Sequence, residues 1–209
     1  MKKCLHHILA ISLLSGFTAC QEKKQEQTHG DTATGATTES GREQELLTRG
    51  GEASAALLGS LGPKLKAALQ ARGPVHALTV CQQLAQPSTG EVSGKFEGLS
   101  ISRVSLKARN PDNAADELDQ EVLHTWEKQV ASGAGVPADV IRYKDDKSAV
   151  FYRAIMTQDV CMKCHGDPAT FSRELADRLA ELYPGDMATG YATGQLRGAF
   201  RVEFEAAAE

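Results

Sequence analysis

The chain has 209 residues, 41% hydrophobic and 24% charged, an ordinary composition for one globular domain with its own core. Its formal net charge of −4 excludes the basic surface that nucleic-acid binding requires. Aromatic residues make up 5%, with one tryptophan, Trp126, so such a core would gain much from burying a large flat ring system.

Lys2 and Lys3 precede an apolar run from Ile8 to Phe17. A bilayer span needs about 20 residues, so this shorter run predicts a signal peptide over residues 1–19. It ends in Phe17-Thr18-Ala19-Cys20, which resembles a lipobox with Phe17 in place of the usual aliphatic residue. Cys20 is then the lipidated first residue of the mature chain, and a passenger if an ordinary secretory signal is cut nearby. Several acyl chains anchor a protein firmly where one does so only marginally. The expected location is periplasmic, at the cell membrane or outer membrane. Gln21 to Gly41 contains no leucine, isoleucine, valine or aromatic residue, so residues 20–42 are expected to be a flexible tether. Residues 43–209 form the expected folded domain.

Leu46, Leu47, Leu57, Leu58, Leu61, Leu65, Ala68 and Leu69 recur at helical spacing, predicting helix over 43–71 with a kink at Gly62-Pro63. A short helix from Val75 to about Leu84 carries Cys81. Residues 99–106 alternate as a strand, and Asn113 is placed to cap a helix running to about Ala131. Strands are expected at 140–143 and 150–156, an amphipathic helix at 171–182 and a last strand at 198–204. Strands dispersed among helices, with hairpin-type connections, predict an α+β fold on an antiparallel sheet.

Cys161-Met162-Lys163-Cys164-His165 is the c-type haem attachment pattern. Two residues between the thiols let both sulfurs reach the vinyl groups on one porphyrin edge, and the adjacent histidine supplies the proximal iron ligand. At this composition the pattern arises by chance about 0.003 times per chain. Of five cysteines, Cys4 leaves with the signal and Cys20 is lipidated. Cys81, Cys161 and Cys164 remain, an odd set that argues against a disulfide framework. Zinc would need further ligands, with Cys81 or another histidine completing a tetrahedral set. A thioredoxin-type dithiol would need a βαβ context that the chain lacks. For the sixth ligand, Cys81, Met187, His76 and His124 stand level on composition alone. Arg103, Lys107 and Arg109 share one face at period two, a placement suited to haem propionates or to a solvated edge strand.

Further strings carry a resemblance. Ala77 to Cys81, Arg103 to Asn113, Cys161 to Gly166, Tyr183 to Ala188, Gly190-Tyr191 and Leu196 to Ala199 are similar to the PAS-like single-haem c-type family, long known only as a domain of unknown function. The resemblance implies a PAS-like antiparallel sheet flanked by helices, with a long N-terminal helical segment. It also implies one covalent haem c held between histidine and cysteine, which map here to His165 and Cys81. Related domains occur alone and as input modules of signalling proteins.

The function expected is redox sensing or one-electron transfer with a redox or signalling protein partner, since an iron with six ligands has no open site for substrate. No nucleophile–base pair or acidic dyad is legible, and no enzyme is predicted. A gas or peroxide sensor, or a haem enzyme, whose Cys81 dissociates on reduction would differ in binding carbon monoxide. A haem-free thiol or metal-binding protein would be colourless.

Overall fold

The computed structural model describes residues 32–144 and 148–206, with side chains from residue 39 onward. The signal peptide, Cys20 and the first part of the tether lie outside these residues. Helix α1 (Thr32–Ser93) begins within the segment expected to be tether and continues well past Leu84. It passes through Pro63 without the expected break; the non-helical backbone is at Arg72 and Gly73. Gly73 has φ +75°, a conformation that a side chain disfavours, so the reversal falls on glycine and not on the first proline. The two arms fold back on each other. Lys64 Nζ in the first donates to Ser88 Oγ in the second at 3.0 Å, and Leu57 and Val92 share one apolar cluster.

Four strands, β1 (Leu99–Val104), β2 (Val140–Tyr143), β3 (Ala149–Met156) and β4 (Leu196–Phe204), form one antiparallel sheet in the order β1-β4-β3-β2. The α+β architecture with a long N-terminal helix is the one expected. Helix α2 (Glu117–Ala131) is capped by Asp116 and not by Asn113. Asn110 instead caps a 3-10 turn, Pro111–Asn113, because the proline favours the first position of that turn. Asp116 and Asp119 then form a reciprocal capping box.

Alternation along the strands sorts the core onto two faces. Leu99, Ile101, Phe151, Phe200, Val202 and Phe204 meet Leu46, Leu57 and Val92 of α1. Val104, Val150, Tyr152 and Ala199 meet Val122, Leu123 and Trp126 of α2. Both faces of β3 are therefore covered, and residues 149–152 are all buried. Helix α3 (Met162–His165) follows β3. Helix α4 (Arg173–Leu182), capped by Ser172, packs Leu175 and Leu179 on Leu78 of the second arm of α1.

Candidate functional site

The Cys161–His165 segment begins where β3 ends. The chain passes Thr157, makes a 3-10 turn at Asp159–Cys161 and enters α3. Thr157 fixes this exit: its hydroxyl donates to the Ala192 carbonyl at 2.7 Å and accepts from the Gln195 N–H at 2.9 Å. Cys161 and Cys164, three apart on helical backbone, lie on neighbouring positions of one surface, half-buried and in no disulfide. The Gly166 N–H closes the turn on the Met162 carbonyl at 3.1 Å. A Cβ at Gly166 would lie 2.7 Å from that oxygen, so this approach requires glycine.

His165 is held from the loop between α4 and β4. Its Nδ1 lies 2.6 Å from the Ala188 carbonyl, which can only accept, so Nδ1 carries the proton and Nε2 is left with its lone pair. Burial, reinforced by the Arg109 and Arg197 cations, pushes the His165 pKa down to about 3, so the ring is neutral at ordinary pH. The loop is strapped to the segment by two more bonds: Gly190 N–H to the Gly166 carbonyl at 2.8 Å and Tyr191 N–H to the His165 carbonyl at 2.9 Å. The Tyr191 ring meets the imidazole edge-on, with centroids 6.4 Å apart, and Lys107 Nζ sits 4.4 Å from the tyrosine centroid.

Arg109 ties these pieces together. Its Nη2 donates to the Cys164 carbonyl at 2.5 Å, and the guanidinium pairs with Asp186 at 2.9 Å, both side chains nearly buried. The expected shared strand face of Arg103, Lys107 and Arg109 does not form. β1 ends at Val104, and the Ser105 side chain accepts the Lys107 N–H, turning the chain away. Lys107 Nζ donates to the Thr189 carbonyl instead. Of the three, only Arg103 stays on the strand.

Cys81, on the second arm of α1, is half-buried and in no disulfide. Burial pushes its thiol pKa up, while the Arg103 and Arg109 cations pull it back. Burial likewise raises the Cys164 thiol, which Arg109 opposes and Cys81 reinforces, so the two thiols belong to one electrostatic neighbourhood. Arg103 Nε is buried with no hydrogen-bond partner among the described residues. The site thus gathers Cys81, Cys161, Cys164, His165 and Arg103. His124 lies elsewhere, exposed and facing Glu127 on α2, and Met187 is 53% exposed. His76 is half-buried on α1. Asp186, Ala188, Tyr191 and Arg197 carry no chemical signal of their own in the sequence, although all four fall in the strings that carry the resemblance.

The sequence matches the Tll0287-like family over residues 17–204. The chain belongs to the Tll0287-like family. That match takes in every strand and helix described above. The fold is similar to that of a solved structure, the cyanobacterial haem protein Tll0287, with a TM-score of 0.54 at 20% identity, covering 87% of this chain and 99% of that one. No curated protein sequence matches. The Tll0287-like fold accords with the α+β architecture expected from the strings, and at this identity the likeness is one of fold.

Proposed function

We propose that this protein is a single-haem c-type protein of the periplasm, anchored to a membrane through lipidated Cys20, that serves redox sensing or one-electron transfer. The observation that carries the reading is the Cys161–His165 segment, with His165 Nδ1 bonded to the Ala188 carbonyl and Nε2 available as a neutral imidazole donor. Cys161 and Cys164 would hold the group through two thioethers, and His165 and Cys81 would supply its iron with a nitrogen and a sulfur ligand. Bound there, a haem supplies a one-electron iron couple. Arg103, with its buried and unpaired Nε, fits a propionate carboxylate. Arg109 and Asp186 orient the segment, and Tyr191 packs the edge of the imidazole. With His165 and Cys81 both engaged, the iron would have no position free for substrate, which favours electron transfer or sensing over oxygen chemistry.

Expression with an intact haem-attachment system tests the reading. The mature chain should be coloured, gain one haem mass and keep its colour through acid-organic extraction. A colourless product of apo mass would overturn it.

A further inference from the structure

We propose that the Arg109–Asp186 pair is a latch that positions the Ala188 peptide and, through its carbonyl, sets the donor strength of His165. The inference rests on the haem reading above and deepens it.

The geometry converges on a single residue. Asp186 Oδ1 accepts the Ala188 N–H at 2.8 Å. The Ala188 carbonyl faces His165 Nδ1 at 2.6 Å and lies 3.4 Å from Arg109 Nη2. Arg109 Nε reaches Asp186 Oδ2 at 3.1 Å, closing a ring through the loop backbone. Arg109 also donates to the Cys164 carbonyl, so one guanidinium spans the thiol-bearing turn and the loop that holds the histidine. Met187 N–H to the Ala108 carbonyl, at 3.1 Å, fixes the two stretches side by side.

Charge gives the latch its sign. A cation near the Ala188 oxygen draws electron density from it and weakens its pull on the His165 proton, making the imidazole a poorer donor. The Asp186 carboxylate offsets that cation at 2.9 Å in a nearly buried setting, where little solvent screens either charge. Removing the anion leaves Arg109 uncompensated and favours reduced iron; removing the cation does the reverse.

The test uses the full haem-loaded chain. Asp186→Asn should raise the reduction potential and Arg109→Gln should lower it, each by about tenfold in the oxidised-to-reduced ratio at a fixed poise. The double variant should return toward wild type. Arg109→Lys keeps the charge but loses the forked donors, so its potential should shift less than that of Arg109→Gln. Shifts of the same sign in both single variants, or none, would overturn the latch. A second readout needs no haem. In the full chain carrying Cys161→Ser and Cys164→Ser, the Gly190 and Tyr191 amides should exchange faster when Arg109→Gln or Arg109→Lys is added. Unchanged exchange overturns the positioning role. A colourless wild type would defeat the haem reading and leave this measurement standing.

Discussion

A buried polar atom without a partner costs about 1–3 kcal/mol, and among the described residues Arg103 Nε is such an atom, beside a thiol and within a cationic neighbourhood. The simplest occupant is an anion. Arg103→Gln should therefore shift the reduction potential or lower stability while covalent attachment is retained, as read by spectroelectrochemistry and urea unfolding. An experimental structure with both propionates far from Arg103 would contradict this role. Cys81 carries the sharper expectation. Metal coordination favours the thiolate, an anionic ligand that ferric iron holds better than ferrous. Cys81→Ala should keep the attached haem, change the ferric spectrum, raise the potential and admit exogenous ligands. An unchanged spectrum and potential would place the ligand elsewhere. At this scale Cys161, Cys164 and His165 stand out in the sequence because their spacing is itself a recognisable pattern, whereas Cys81 stands out only through the resemblance. Asp186 and Ala188 do not, because what they contribute is a backbone position fixed only by the folded loop.

Turn chemistry decided where the elements differ from what periodicity suggested. Helical spacing continues unbroken across Pro63, and nothing local distinguishes that proline from a kink. Only Gly73 combines a positive φ with the reversal that returns Val92 to Leu57. Gly73→Ala should cost about 1–2 kcal/mol in urea unfolding, whereas Gly59→Ala, in open space on the same helix, should be neutral or slightly stabilising. Asp119 is a second joint. It closes the capping box of α2, accepts from Tyr152 Oη on β3 at 2.7 Å and pairs with Arg201 on β4 at 3.0 Å. Asp119→Ala leaves the buried Tyr152 phenol without its acceptor and opens the cap of α2, while Arg201 keeps Glu203 at 2.7 Å, and should cost about 1–3 kcal/mol. The strands were legible because their two-residue period matches two covered faces; their ends depend on Ser105 and Thr157, whose partners lie far along the chain.

The charged cluster on the inner strand β4 makes stability depend on pH in a definite direction. Burial pushes the Glu203 pKa up, but Lys144 and Arg201 outweigh it and hold the carboxyl below its ordinary value of 4.5. A carboxyl with a depressed folded-state pKa contributes stability above the unfolded value, lost as pH falls through the folded one. Unfolding titrations should show wild type losing stability below about pH 4.5 more steeply than Glu203→Gln. At the level of the whole chain, membrane fractionation separates the two readings of Cys20. Wild type should be retained in membranes and Cys20→Ala released, and equal solubility would make Cys20 a passenger.

The α1 hairpin has one more consequence. It delivers Cys81 from the N-terminal half of the chain, while His165 arrives on α3, beyond β3. On the proposed ligation, iron joined to both is a cross-link, closing a loop of about 85 residues and removing about 4.5 kcal/mol of entropy from the unfolded chain. Unlike a disulfide, this clasp loosens when a single electron arrives, because the sulfur ligand is held better by ferric iron. Electron occupancy and mechanical firmness then become two faces of one thermodynamic cycle, and whatever tightens the hairpin against the sheet must also favour the oxidised state. The urea midpoint should fall on reduction in wild type, and that difference should vanish in Cys81→Ala.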